Sequence, residues 1–222
     1  ESSLSRAETN LVLDKKNVYV PTDDPESALV RVGEIYHHNA SGERKSSGSF
    51  FTPPFAVEHL LERSLDPALE KHLVEVKKLL DADKSSLAAD KFFDFKVADL
   101  AMGSGHFLIA AIDRMEVKMS AFLVDNPIPA INQELQRLEA AARNALGASV
   151  DDYDIEFSSL LRRQIARRCI YGLDINEIAV ELCRVAVWIH TFVPGLPMST
   201  LDHTLVCGNS LTGIGTIDEA LE

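Results

Sequence analysis

The sequence predicts an α/β protein built on an open, doubly wound parallel sheet with helices on both faces, and two junctions in the chain predict it. At the first, the run Val97-Ala98-Asp99-Leu100 enters Ala101-Met102-Gly103-Ser104-Gly105 and then an apolar-periodic stretch opened by His106 and Phe107, which makes a strand, a glycine turn and a helix. At the second, Cys169-Ile170-Tyr171-Gly172-Leu173-Asp174 ends in a carboxylate and passes directly into an amphipathic stretch over 176–190. A strand followed at once by a helix, twice over, is the repeating unit of a parallel sheet with helical crossovers. Ligands of such sheets sit beyond the carboxyl ends of the strands, so both junctions are also candidate site positions.

From the N-terminus, residues 1 to about 25 are polar apart from Val18-Tyr19-Val20 and the following Pro21, a loosely held lead-in. Ala28, Leu29, Val32, Ile35 and Tyr36 recur at helical spacing, which predicts a helix over 25–39 and makes 1–45 a helical lead-in. A glycine–serine loop covers 45–49. Extra N-terminal helices follow at 53–65 and 67–80, split at Asp66-Pro67 because proline lacks the N–H an interior helical residue donates. Residues 46–222 form the sheet domain. Within it, the passage 116–168 is too long for one crossover and is read as a helical insertion. Its helices are expected at 130–146, where Leu135, Leu138, Ala142 and Leu146 share a stripe and Gly147 follows the end, and at 156–168. Pro194-Gly195-Leu196-Pro197 then turns the chain into a third strand, Thr204-Leu205-Val206-Cys207.

With 222 residues, 46% apolar and 25% charged, the chain has the make-up of one sizeable globular core and not of a disordered segment. A formal net charge of −12 excludes it as an unaided grip on nucleic-acid phosphates, which takes Lys and Arg. Arg44-Lys45 reads as solvated charge, and Arg162, Arg163, Arg167 and Arg168 read as an exposed helix face. Cys169, Cys183 and Cys207, odd in number and set in apolar runs, read as buried thiols of a reducing cytoplasm. No Cys-x-x-Cys pair occurs and His37-His38 diverge on a helix, so no metal is expected. No apolar run reaches the roughly 18 residues of a membrane span and no secretion signal is recognisable, which makes the cytoplasm the expected location. Opening on Glu1 and ending without a strand or cap signal, the chain is expected to be a fragment of something longer.

Gly103 and Gly105 remove side chains where a backbone bends and approaches a ligand, and both are free to take positive φ. The helix start behind them offers N–H groups without helical partners. A dinucleotide fingerprint would put a third glycine where Leu108 stands, and a P-loop would need Gly-Lys-Ser/Thr; neither is present. Asp174, at a strand's end, is suited to accept two hydrogen bonds from a ribose diol and equally to serve a turn. Asn209 is a turn former whose amide carries both a donor and an acceptor. His106 reads as a helix-start residue, and Phe107 and Trp188 as core.

Four segments of the chain, in order, resemble those of the N6-adenine DNA methyltransferases of restriction-modification and phage-exclusion systems. Gly48-Ser49-Phe50-Phe51-Thr52-Pro53-Pro54 is similar to the family segment that lies against the methionine moiety of S-adenosylmethionine, which implies contacts from Phe51, Thr52 and Pro53. The stretch from Asp99 to Gly105 resembles the family's Asp-Pro-Ala-Cys-Gly-Ser-Gly loop, with Leu100 and Met102 in place of Pro and Cys. That match implies a cofactor loop of Asp99, Ala101, Gly103, Gly105 and Phe107, with the Asp99 carboxylate toward the ligand's ammonium group. Leu173-Asp174-Ile175-Asn176 is similar to the segment that holds the ribose through its acid, Asp174, and covers the adenine with its apolar neighbour, Ile175. Cys207-Gly208-Asn209-Ser210-Leu211 resembles the segment whose polar side chain, Asn209, meets the adenine edge. The likeness spans roughly residues 46–213, and its specificity lies in the order of the four pieces. It implies a Rossmann-like methyltransferase fold and methylation of adenine N6 in double-stranded DNA. Restriction or defence-system subunits are the implied partners.

One part of the family pattern is absent. Between Asn209 and Glu222 there is no Asn/Asp-Pro-Pro-Tyr/Phe, whose acceptor side chain grips the target amine while its ring stacks on the flipped base. Thr52-Pro53-Pro54-Phe55 is a decoy: threonine lacks the required amide or carboxylate oxygen and stands ahead of the glycine loop, where it reads as a helix cap. No catalytic residue is assigned, and these residues alone are expected to be inactive. The rival readings are an RNA or protein methyltransferase with the same cofactor segments, and a non-catalytic S-adenosylmethionine-binding module.

Overall fold

The computed structural model describes residues 3–13, 19–38, 52–147, 153–198 and 201–211. The chain divides into two compact units, 1–51 and 52–222. In the first, β1 (Ser3–Arg6) pairs antiparallel with β4 (Ile35–His38), and β2 (Leu11–Leu13) pairs antiparallel with β3 (Tyr19–Pro21). Ala7, Leu11 and Val30 make its small core, and a bridge joins Leu11 to Val30.

The predicted helix over 25–39 is corrected by these strands as far as residue 38, and the rest of the 1–45 lead-in, from 39 on, lies outside the described residues. Three members of the supposed stripe, Leu29, Val32 and Ile35, are 63, 61 and 66% exposed, whereas Val30, outside the stripe, is buried. A helical stripe that meets no core has nothing to stabilise it, and β-branched residues then favour the extended form. Gly33, at φ 88°, donates its N–H to the Ala7 carbonyl at 2.8 Å and turns the chain back so that β4 runs along β1.

The second unit begins with α1 (Pro54–Leu60), a π-helical turn (Leu61–Leu65) and α2 (Asp66–Asp81), one continuous helical run. The expected break at Asp66-Pro67 is absorbed: the Asp66 N–H reaches back five residues to the Leu61 carbonyl, and the widened turn spares the bond Pro67 cannot make. Next come α3 (Ser85–Phe92), β5 (Val97–Asp99), α4 (His106–Asp125), α5 (Pro129–Leu146), α6 (Phe157–Cys169), β6 (Ile170–Asp174), α7 (Glu177–His190) and β7 (Leu205–Cys207). The three strands form a parallel sheet in the order β5-β6-β7, with Val97 opposite Ile170 and Gly172 opposite Leu205. The unit is thus a mixed α/β structure in which the first two junctions are a strand, a turn and a helix.

Helix α4 is the centre of the core. Leu108, Ala111, Ile112, Met115 and Met119 recur at the i, i+3, i+4, i+7 spacing of one helix face and are all fully buried, and α6 and α7 pack against this helix. Each such large side chain removed from water contributes roughly 1.5–3 kcal/mol. The sheet meets this layer through Ile170, Gly172 and Leu205, which are buried, while Ala98 and Val206 on the other face are exposed among the described residues. Arg114 ties α4 to α2, its Nε and Nη2 forking onto the Asp66 carboxylate at 3.0 and 2.8 Å.

Two surface expectations change. Arg163 is buried, with Nη2 donating to the Pro197 carbonyl, and Arg162 is half-buried beside Asp113 and Glu116, so only part of the arginine cluster faces solvent. Cys207 is exposed, unlike Cys169 and Cys183, because it ends the edge strand β7. Among the described residues no helix is long and apolar enough to cross a membrane.

Candidate functional site

The glycine turn joins β5 to α4. Gly103 and Gly105 both adopt the left-handed region, at φ 53° and 88°, where a Cβ is disfavoured. The Gly105 N–H donates to the Met102 carbonyl at 2.9 Å, closing the turn, and Gly105 is the N-cap of α4 with no side chain capping it. The first amides of this 20-residue helix therefore face the rim of the sheet without helical acceptors. A Cβ on Gly105 would also lie 2.6 Å from the Cys183 sulfur, so both conformation and space demand glycine there.

Asp174 brings the two junctions together. Its Oδ2 accepts the Gly103 N–H at 2.8 Å, its Oδ1 accepts the Asn176 N–H at 2.8 Å, and its own carbonyl accepts the Gly208 N–H at 2.9 Å. The Met102 N–H adds a bond to the Leu173 carbonyl at 3.1 Å. One residue thus stitches the glycine loop and the start of α7 through its carboxylate and the end of β7 through its main-chain carbonyl, as a turn residue would. Two oxygens with about four lone-pair sites still leave room for a diol. Asn176, and not Asp174, caps α7, its Oδ1 accepting from Ile178 and Ala179.

Asp99 lies on the same rim, accepting the Ala101 N–H on Oδ1 at 3.0 Å. Burial pushes its carboxyl above the usual range, the Ala101 N–H pulls it back, and the nearby Asp174 charge pushes it up again. The Cys183 thiol beneath the loop is pushed up to about 12, by burial first and then by Asp99 and Asp174, so it is an inert packing group. Two acids close enough for one to push up the other's pKa make this rim a place where a ligand's positive charge is favoured.

The remaining expected residues are distributed around that pair. Ala101 is exposed on the loop, and Phe107 is half-buried on the first turn of α4 and packs against the core. Ile175 is 66% exposed just past Asp174, and Leu100 and Leu211 are 61 and 92% exposed. Asn209 is exposed beyond β7, its Oδ1 accepting the Leu211 N–H at 2.9 Å. Thr52 and Pro53 are exposed at the start of α1. Pro53, and not Thr52, occupies the N-cap position, and no side chain caps that helix. Phe51 and the Gly48–Phe50 stretch before it lie outside the described residues. No group of three or more His, Cys, Asp or Glu among the described residues is placed to hold a metal ion.

Sequence reasoning missed three supporting residues. Gly172 faces Met102, whose sulfur would lie 2.2 Å from a Cβ there, so a mid-strand glycine makes the seat for the loop's one buried side chain. A glycine inside a strand is the signal that could have found it. Cys183, whose sulfur packs under Gly105, and Arg184, which donates to the Leu205 carbonyl of β7, carry no such local mark.

Residues 31–205 match the family model described as N-6 DNA methylase. A type II restriction enzyme and methyltransferase of Methanocaldococcus jannaschii is 24% identical over 212 residues, which covers 81% of this chain and 15% of that protein. The adenine-specific methyltransferase PglX of Streptomyces coelicolor is 22% identical over 189 residues, covering 85% of this chain and 10% of that protein. The chain therefore corresponds to under a sixth of the length of either relative. No solved structure matches it.

Proposed function

The chain belongs to the N-6 DNA methylase family, and from that premise we propose that the rim formed by the glycine loop, Asp174 and Asn209 binds S-adenosylmethionine. The observation that carries the proposal is the 2.8 Å bond from the Gly103 N–H to Asp174, which puts the strand-end acid and the positive-φ loop at one place. In this reading the three parallel strands are the leading half of a doubly wound, Rossmann-like sheet. Residues 1–45 precede it, and the helices between β5 and β6 are the insertion.

The residues present fit the cofactor. Asp99, held above its usual pKa by burial and by Asp174, is set to pair with the ligand's ammonium group, which would relieve that penalty. Gly103 and Gly105 let backbone come close, and Ala101 and Phe107 line the loop. Asp174 takes the ribose hydroxyls on its remaining lone pairs, Ile175 covers the adenine, and Asn209 meets its edge. Thr52 and Pro53 are assigned to the methionine end, and Phe51, outside the described residues, is assigned there by the sequence likeness alone. The bound cofactor supplies a methyl group activated on a sulfonium. Orientation and electrostatics are the protein's contribution, with no covalent intermediate and no metal called for.

The parent activity we infer is methyl transfer to adenine N6 in double-stranded DNA, in a restriction-modification or phage-defence setting. The two relatives support it by what they are: a restriction enzyme and methyltransferase, and an adenine-specific methyltransferase. The acceptor that grips the target amine is not among residues 1–222, nor does an acidic surface of net charge −12 supply the phosphate grip. Both are assigned to other parts of a longer polypeptide or to partner subunits, and the cytoplasm is where DNA and cofactor meet.

Calorimetric titration with S-adenosylmethionine tests the site. Full-length protein is expected to bind and Asp174→Ala to lose roughly 1–3 kcal/mol, the cost of deleting a charged hydrogen-bond partner. Equal affinity in the two proteins, or no binding by the unmutated one, overturns the assignment.

A further inference from the structure

Arg184 is a half-buried cation for which the cofactor reading has no task. It lies on α7, and its Nε and Nη2 both donate to the carbonyl of Leu205, at 3.0 and 2.7 Å. Its Nη1 is held by Glu181 at 2.6 Å and Asp202 at 3.4 Å. The plane of the guanidinium is therefore fixed from two sides: by the helix that starts just after Asp174 and by the turn that leads into β7.

Strand β7 needs such a hold. It is three residues long and lies at the edge of the sheet. The Gly172 N–H donates to the Thr204 carbonyl at 2.7 Å, so along β7 the next carbonyl, that of Leu205, points away from β6 toward the open edge. Among the described residues no strand donates to it there, and Arg184 takes the place of one. A concavity of about 400 Å³ lined by Arg184, Val185, Trp188, Met198 and Leu201 opens beside the guanidinium. Beyond Leu205 the chain continues through Val206 and Cys207 to Gly208, whose N–H is tied to the Asp174 carbonyl at 2.9 Å, and then to Asn209.

We propose that Arg184 is a positioning residue for purine discrimination: by clamping the start of β7 to α7, it keeps Asn209 in register with Asp174 so that one nucleoside meets both. This rests on the reading that Asn209 meets the adenine edge. A lysine at 184 would keep the charge but lose the planar fork that holds one carbonyl with two N–H groups.

The test measures the affinity of the full-length protein for S-adenosylhomocysteine and for its inosine counterpart, which has a 6-oxo group where adenine has an amine. Unmutated protein is expected to favour the adenosine form by roughly tenfold or more, the worth of one well-placed hydrogen bond. Arg184→Ala is expected to cut that ratio to about threefold or less. Asn209→Ala should do the same, and the double variant should do no more than either, as coupled residues behave. Arg184→Lys is expected to lower the ratio as well, and it carries the comparison if the alanine variant does not fold.

A merely structural role for Arg184 would weaken both ligands equally and leave the ratio alone. That result, with Asn209→Ala still collapsing the ratio, overturns the inference and leaves the cofactor site standing. A ratio untouched by Asn209→Ala, or absent in the unmutated protein, removes the reading of Asn209 and the inference with it.

Discussion

The rim of the sheet and the helical body beneath it treat their polar groups in opposite ways. In the body, the Asp66 carboxylate is met by the Arg114 fork and by Lys118 at 3.7 Å, and its pKa falls, through the Arg114 hydrogen bonds above all. On the rim, burial above all, and then the nearby Asp174 charge, raises the Asp99 pKa, and apolar Leu100, Ile175 and Leu211 stand in solvent. The body answers the Asp66 charge with two cations and buries the inner stripe of α4, although outer residues such as Val124 and Ile189 stand exposed on its helices. The rim holds backbone in left-handed conformations and keeps two acids close, an arrangement that stability alone would not select and that a cationic nucleoside would complete.

The change that should break this contrast most severely is Gly105→Ala. It imposes a side chain at φ 88° and drives its Cβ to 2.6 Å from the Cys183 sulfur. Left-handed strain and overpacking together should cost about 2–5 kcal/mol of unfolding free energy in denaturant titration. A loss under about 1 kcal/mol would show that the loop relaxes freely and is not strained at all.

Asp66→Asn probes the body. A carboxyl whose folded pKa lies below its unfolded value adds stability that is present above the ordinary carboxylate range and is lost as pH falls through the lowered value. The variant is expected to be roughly 1–3 kcal/mol less stable at neutral pH and to show a flatter decline in acid. An acid-melting profile identical to that of the unmutated protein would contradict the ion pair's role.

Asp99→Asn probes the rim and should act with the opposite sign. A carboxyl with a raised folded pKa favours folding at low pH and loses that contribution as pH climbs through the raised value. Removing the charge is therefore expected to raise neutral-pH stability by roughly 0.5–1 kcal/mol while weakening cofactor binding, a trade typical of functional sites. In unmutated protein, cofactor affinity should fall as acidification protonates Asp99, and the variant should lack that slope. Loss of stability together with unchanged affinity would reverse the assignment.

The mildest probe is thiol labelling. Cys169 and Cys183 are buried, with thiols pushed up to about 12, whereas Cys207 is exposed next to the residues proposed to meet adenine. Labelling of the folded protein should reach Cys207 alone and slow when S-adenosylmethionine is added. Reaction at Cys183 without unfolding, or a rate indifferent to cofactor, would count against the described packing.

The glycine turn could be found in the chain because everything it requires is local: an apolar strand, two residues free of a Cβ, and a helix start within a dozen positions. The same holds for Asp174 and the helix behind it, and for the 129–146 helix, which begins one position before the expected start. The N-terminal strands were not legible. Their stability comes from pairing Ser3–Arg6 with Ile35–His38, about thirty positions apart, and helical spacing in 25–39 was a local pattern with no core to meet.

Proline 67 pointed to a break, yet the helix runs on, because a π-helical turn and the Arg114 fork on Asp66 hold it through the defect. Arg163 and Cys207 exchanged their expected surroundings, as depth in a fold depends on which elements close over a residue. Local chemistry was therefore enough to mark a nucleotide-sized turn and the acid that faces it. The long-range contacts put Asp174 on Gly103, seated Met102 over Gly172 and clamped β7 with Arg184, since each of these joins residues whose approach is fixed by the sheet and not by their neighbours in the chain.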